Sequence, residues 1–237
     1  MKKPKRRPKH NPKLSAHRRP RRIPTSHERA SGRSWDDSYK NKKGPAPWDI
    51  GAPQPAVVRA VENGAFAGAR EILDAGCGTG ESSLLLATRG HKVFAFDLAK
   101  TAIAIARKKA AARRLTNPVK FTVADALRLE RASSLRQKFD AILDCALFHT
   151  FNASERARYA ANLTKVAKPG ALFYILAFSD QGQPADLGPH PVSQADIRAA
   201  LNHTSGWHVE SIDPARISTI FHGPEALPGW WVKVRRK

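Results

Sequence analysis

Leu73 to Gly80 reads LDAGCGTG, an acid followed by glycines at 76, 78 and 80, placed where a short apolar run (Glu71 to Asp74) gives way to an amphipathic stretch (Ser82 to Thr88). Glycines at such a strand-to-helix turn let a ligand approach the backbone closely, and the first turn of the helix offers it unpaired N–H groups. A dinucleotide fingerprint would need glycine or alanine at position 81, which is Glu81, and a carboxylate there suits a pyrophosphate poorly. A phosphate-binding P-loop is excluded, because no Gly-Lys-Ser/Thr follows. Two further acids end apolar runs, Asp97 in KVFAFD and Asp125 in VADAL. A single strand-end aspartate serves as readily to cap a turn; three in register with a glycine turn point to one shared ligand. The cysteines, Cys77 and Cys145, show neither CxxC spacing nor a companion His cluster, so reduced thiols, a cytoplasmic setting and no metal are expected.

The elements that must position these residues follow from periodicity. A helix from Pro53 with Val57, Val58 and Val61 on one side ends at Gly64. Lys92 to Asp97 reads as strand, Ala99 to Arg114 as helix, Val119 to Ala124 as strand, and Phe139 to Asp144 as a buried strand. Asn152 with Glu155 forms a capping box for a helix to about Ala167, stopped by Lys168-Pro169-Gly170 before a strand over Ala171 to Phe178. Ser179 to Pro191 is a Gly/Pro-rich loop long enough for a lid, and Ser193 with Asp196 caps another helix. Trp207 to Ile212, Arg216 to Phe221 and Trp230 to Val234 are β-rich with no helix between them, so the sheet closes with an antiparallel hairpin. Strands alternating with helices predict an α/β fold whose parallel sheet is covered on both faces.

On the glycine turn and its two partner acids the sequence resembles the class I S-adenosylmethionine-dependent methyltransferases, over roughly Trp48 to Lys237. The resemblance implies a Rossmann-like, doubly wound, mostly parallel seven-stranded sheet with a C-terminal antiparallel hairpin. It also implies S-adenosylmethionine as cofactor, held by Asp74, Gly76, Cys77, Gly78 and Gly80, by Asp97 and Leu98 at the ribose, and by Asp125 and Ala126 at the adenine. GPAPWDIGAPQPAVV, Gly44 to Val58, is similar to the entry segment of the thiopurine and halide/thiol methyltransferases and related bacterial small-molecule enzymes. In those enzymes that segment folds over the cofactor and lines the acceptor pocket. Residues 35–52 are therefore expected to form a flap, with Trp48 at the cofactor and Trp35 and Tyr39 at the substrate; the alternative is that these rings only pin the segment down. The methyltransferase domain proper is expected over 53–237.

In this fold the end of the fourth strand faces the cofactor, and here it reads Asp144-Cys145-Ala146-Leu147-Phe148-His149. It lacks the Asn/Asp-Pro-Pro-Tyr/Phe turn with which nucleic-acid amino-methyltransferases grip an extruded base, and the Pro-Cys nucleophile of RNA cytosine-C5 enzymes. Direct in-line displacement remains, with alignment as the main contribution of the protein. His149 is the candidate base, since imidazole titrates near neutrality. His222 and His190 are weaker candidates. Phe148 and Phe178, with Trp35, Tyr39, Trp48 and His222, would shape a flat pocket for a planar aromatic, heteroaromatic or thiol acceptor methylated on O, N or S.

The 237 residues carry 41 Lys and Arg against 20 Asp and Glu, and residues 1–34 hold thirteen of those cations against one acid, Glu28. That stretch offers little to bury and is expected to be a disordered basic tail. Its charge would let it contact nucleic acid without reading sequence, which keeps an RNA methyltransferase that captures substrate through the tail as the alternative function. A cofactor-sensing binding protein is a third. Prolines at 4, 8, 12, 20 and 24 rule out a membrane-surface helix, the basic start is followed by no apolar stretch, and no run approaches the ~20 apolar residues of a bilayer span. Neither secretion nor a membrane partner is expected.

Overall fold

Four apolar runs pair side by side in parallel in the computed structural model, which describes residues 22–40, 44–135, 138–182 and 191–237. They are β1 (Glu71–Ala75), β2 (Lys92–Asp97), β3 (Val119–Val123) and β4 (Phe139–Cys145). Each of the first three turns is followed by a helix or helical turns: α4 (Glu81–Thr88) after β1, α5 (Lys100–Ala112) after β2, and two 3-10 turns over 126–135 after β3. Before β1 lie α1 (Ser26–Ser31), α2 (Trp35–Tyr39) and α3 (Pro55–Glu62). After β4 come α6 (Ala153–Val166), β5 (Ala167–Phe178), α7 (Gln194–Ala200), β6 (Trp207–Thr219) and β7 (Gly223–Arg236).

The sheet runs β3-β2-β1-β4-β5-β7-β6, with β7 antiparallel to both neighbours and all other pairs parallel. This is the expected seven-stranded, Rossmann-like doubly wound sheet with an antiparallel C-terminal hairpin. Because side chains alternate along a strand, consecutive residues feed opposite cores. Leu73, Phe173 and Ile175 join Tyr159, Leu163 and Trp207 on one face. Ile72, Tyr174 and Leu176 join Val57, Leu84 and Ile103 on the other. Strand order reverses between β1 and β4, which opens a crevice beyond their carboxyl ends.

Several boundaries differ from the sequence expectation. The first helix of the sheet domain starts at Pro55, a proline in the first turn, two residues after Pro53. Lys168-Pro169-Gly170 does not break the chain before β5; it lies inside that strand, where a register shift between Phe139 and Ala141 of β4 accommodates it. The two runs Trp207 to Ile212 and Arg216 to Phe221 form the single strand β6, and Phe221 falls beyond it in the turn.

Residues 22–34, expected to be disordered, carry a helix. Thr25 and Glu28 form a reciprocal capping box that starts α1, and the Glu28 carboxylate accepts two bonds from Arg22 at 2.6 and 2.7 Å. Residues 1–21, with ten of the thirteen cations of residues 1–34, and residues 183–190 of the expected lid, His190 among them, lie outside the described residues.

Candidate active site

Sheet register sets the site. Ala75 pairs with Phe96 and with Asp144, and Asp97 pairs with Val123, so four strand ends stop at one level. The glycine turn leaves β1 there, folded back by bonds from the Gly76 and Cys77 N–H groups to the Phe96 carbonyl at 2.8 and 2.9 Å. Gly76 has φ +71°, and a Cβ on it would sit 2.9 Å from the Leu147 side chain. Gly78, at φ +52°, lies under the Tyr39 hydroxyl, 3.1 Å from where its Cβ would be. Backbone conformation and close approach thus both require glycine.

Of the acids of this edge Asp74 and Asp144 are buried, and Asp97 and Asp125 are partly exposed. Asp97 accepts from the Gly78 and Ala99 N–H groups at 2.9 and 2.8 Å, and burial still raises its pKa. Asp125 accepts from the Leu127 N–H at 2.9 Å. Ser83 donates to Oδ2 of Asp74, whose Oδ1 is buried without a hydrogen-bond partner among the described residues. Burial pushes Asp74 up to about 7. Asp144, fully buried, accepts from the N–H groups of Leu147 and Phe148 and from the Tyr159 hydroxyl, and burial raises it also to about 7. Both thiols are pushed upward, chiefly by burial, so neither Cys77 nor Cys145 is a ready thiolate nucleophile.

Asp144 also shapes the turn that carries His149. Its two backbone bonds hold Ala146 at φ +73° and the 3-10 turn Phe148–Thr150. His149 is buried, its ring centroid 4.6 Å from that of Phe178, and its Nδ1 accepts the Phe178 N–H at 3.3 Å.

The opposite wall is the N-terminal segment. The Trp48 indole N–H donates to the Tyr39 hydroxyl at 2.9 Å, and the Trp35 and Trp48 rings meet edge to face at 5.6 Å. Five hydrogen bonds at three places fix the segment to the domain. The Asp36 carboxylate accepts from the Thr101 N–H at 2.7 Å in the first turn of α5, Ser26 donates N–H and hydroxyl to Glu155 at the start of α6, and Gln54 exchanges two bonds with the Ser218 backbone. Between the walls is a cavity of about 440 Å³.

Asp74, Gly76, Cys77, Gly78, Gly80, Asp97, Leu98, Asp125, Ala126, Trp35, Tyr39, Trp48, His149 and Phe178 all line this cavity. Two expected pocket residues do not. Phe148 is fully buried in the core, with the Arg156 guanidinium over its ring at 5.6 Å, because Asp144 ties its backbone inward. His222 is exposed at the hairpin tip, its Nδ1 3.0 Å from the Thr219 hydroxyl. The wall also includes Thr25, His27, Leu147, Ile217, Thr219 and Phe221, which the sequence reading passed over. For Thr25 a signal existed, the Thr-x-x-Glu pattern of a capping box; the hairpin residues carried none. Glu81 is bound by Lys109 and Arg113 at 2.9 and 2.8 Å, as a structural ion pair.

A glycine turn after β1, acids ending β1 and β2 and following β3, and a cavity at the switch point define a class I methyltransferase architecture. A methyltransferase domain family model matches residues 72–170. The 2-heptyl-1-hydroxyquinolin-4(1H)-one methyltransferase of Mycobacteroides abscessus is 40% identical over 172 residues, 72% of each chain. Probable thiol methyltransferase 2 of Arabidopsis thaliana is 32% identical over 86% of each. A structure solved for the conversion of a disulfide bond into a thioacetal group during echinomycin biosynthesis superposes with TM-score 0.71 at 35% identity, covering 85% of this chain and 88% of the other. The chain belongs to the class I S-adenosylmethionine-dependent methyltransferases and is related to small-molecule methyltransferases. Its residues suit that cofactor: the orphaned Asp74 oxygen awaits a donor, and a Cβ at Gly76 or Gly78 would close the cradle.

Proposed function

We propose that the protein methylates a heteroatom of a small planar acceptor, an oxygen of a hydroxylated heteroaromatic ring foremost, with the acceptor held between Trp35, Trp48 and Phe178 beside His149. The observation that carries this is the shared cavity: the glycine turn and strand-end acids open into the same cavity as these rings. The Mycobacteroides relative, whose named substrate is a hydroxyquinolinone, supports oxygen; the Arabidopsis relative keeps sulfur as the second candidate atom. S-adenosylmethionine supplies an electrophilic methyl group. Asp74 would receive its amino group, Asp97 with Leu98 its ribose, and Asp125 with Ala126 its adenine, while Tyr39 and Trp48 close over the turn.

We read His149 as a hydrogen-bond donor to the acceptor in place of a base. With Nδ1 accepting the Phe178 N–H, the neutral ring carries its proton on Nε2 and is a hydrogen-bond donor there. His149 therefore orients and stabilises an acceptor oxygen that has ionised by its own acidity, in place of removing the proton itself. Alignment of two bound reactants supplies the rest of the rate.

The test is incubation with methyl-labelled S-adenosylmethionine and, separately, 1-hydroxyquinolin-4(1H)-one, a simple phenol, thiophenol and total RNA. Label in the heteroaromatic product, identified as the O-methyl compound, is expected. Label confined to RNA would overturn the proposal.

A further inference from the structure

One strand leads out of the cavity. Ile217 and Thr219 are alternate residues of β6, Phe221 follows in its turn, and all three line the cavity. Their exposures rise from 1% to 6% to 72% along that line. The track is apolar: the Thr219 hydroxyl is occupied by the His222 ring at 3.0 Å and accepts the His222 N–H at 3.1 Å.

This rim is anchored. Gln54 clamps Ser218 with two buried bonds of 2.9 and 2.8 Å, and the Ile220 N–H donates to the Pro47 carbonyl at 2.9 Å, joining the hairpin tip to the flap. Phe221 is thus a phenyl ring held in water at the mouth of a cavity. Among the described residues the exposed large hydrophobics are Ile23, Val123, Ile220 and Phe221, and of these Phe221 lines the cavity. Apolar side chains grouped at the rim of a ligand cavity mark a place where apolar surface is covered in the bound state.

Resting on the function proposed above, we infer that the track is a subsite for an unbranched alkyl chain on the aromatic acceptor, and that Phe221 is a specificity-determining residue for chain-bearing acceptors. The ring sits inside, between Trp48 and Phe178, and its chain runs outward over Ile217 and Thr219 to end against Phe221. The heptyl group in the named substrate of the Mycobacteroides relative is a chain of this kind. A chain lying on the track with its other side toward the flap gains about two- to fourfold in affinity per methylene covered, until it passes Phe221.

The experiment compares 2-methyl- and 2-heptyl-1-hydroxyquinolin-4(1H)-one with the full chain and with Phe221→Ser and Phe221→Leu. KM and kcat are read from turnover, and Kd from tryptophan fluorescence in the presence of S-adenosylhomocysteine. The heptyl compound is expected to show a KM and Kd at least tenfold lower than the methyl compound, with similar kcat. Phe221→Ser is expected to cut that preference about fivefold, and Phe221→Leu to retain most of it. Equal constants for the two compounds, or a preference unchanged by Phe221→Ser, would overturn the subsite. If neither compound is methylated, the proposed reaction fails; the Kd values then still decide the track, upheld by a heptyl preference that Phe221→Ser removes and overturned by its absence.

Discussion

The strand-end acids and the flap acids are held in opposite states. On the glycine-turn wall Asp74, Asp97 and Asp144 are raised, chiefly by burial, and no cationic side chain pairs with them among the described contacts. On the flap wall burial also opposes ionisation of Glu28 and Asp36, but it is outweighed, by Arg22 and backbone N–H groups at Glu28 and by the Thr101 N–H and Lys40 at Asp36, so both are lowered. The flap acids are thus satisfied within the protein and serve to fasten it, whereas Asp74, at its strand end, keeps one buried oxygen without a donor among the described residues. A cationic ligand that supplies donors is what such an edge lacks.

The largest expected effect tests that contrast through pH. An aspartate whose folded pKa is raised from about 4 to about 7 holds a proton in the folded state that the unfolded chain has released, so its stabilising contribution is full below pH 4 and is lost as pH rises through 7. Asp74 and Asp144 both have this sign. Cofactor-free protein should therefore lose on the order of 4 kcal/mol or more of stability between pH 4 and pH 8 from these two groups, measured by urea unfolding. Asp144→Asn, which keeps an oxygen for the Leu147 and Phe148 N–H groups, should reduce the fall by about half. A stability curve as steep in the variant as in the parent would refute the assignment to Asp144.

The second prediction concerns His149, where the two walls meet. If the ring acts as a donor, His149→Asn and His149→Gln, which carry an N–H donor, should keep kcat within about tenfold of the parent, and His149→Ala should lose about 10²-fold, as removal of a donor to a developing or resident oxyanion does. A general base would be lost about equally in all three. Across acceptors of different acidity, the pH profile should follow the ionisation of the acceptor.

How much of this was legible differs between the walls for a physical reason. The turn wall is built from contiguous segments, each ending a strand, and a parallel sheet puts strand ends at one level, so LDAGCGTG, Asp97 and Asp125 could be read from spacing alone. Its hidden part was the direction of two side chains: Phe148 and His149 are adjacent, and only the bonds from Asp144 to the turn decide that the phenyl goes into the core and the imidazole to the cavity. The flap wall is joined across long separations, as Gln54 to Ser218, Ser26 to Glu155 and Asp36 to Thr101. Its aromatic members announced themselves by being too large for a solvated linker. Phe221 did not, because a phenylalanine in a β-rich run reads as core until the strand is seen to end two residues earlier. The same blindness hid α1: charge masked a short helix whose capping box was written in Thr25 and Glu28.

The smallest effect separates a fastened flap from one that merely rests on the domain. Helix α5 begins with Ala99 at its cap position, a residue with no side-chain acceptor, and the Asp36 carboxylate of α2 supplies that acceptor to the Thr101 N–H. One group thus caps a helix of the turn wall and holds a helix of the flap. Losing a capping acceptor costs about 1 kcal/mol, which corresponds to about a fivefold change in an equilibrium that includes closure. Asp36→Ala should therefore raise the Kd for S-adenosylmethionine about fivefold and speed amide exchange at Thr101, with cleavage by a dilute protease rising within residues 31–40. Asp36→Asn, which keeps the acceptor oxygen, should recover most of the affinity. Because Asp36 is lowered by its partners, its contribution is present above pH 4 and fades as pH falls below its folded pKa, so the parent and Asp36→Ala should converge in acid. Faster exchange at Thr101 with an unchanged Kd would show that the cap is real but the flap does not govern the cofactor. Unchanged exchange would remove the cap itself.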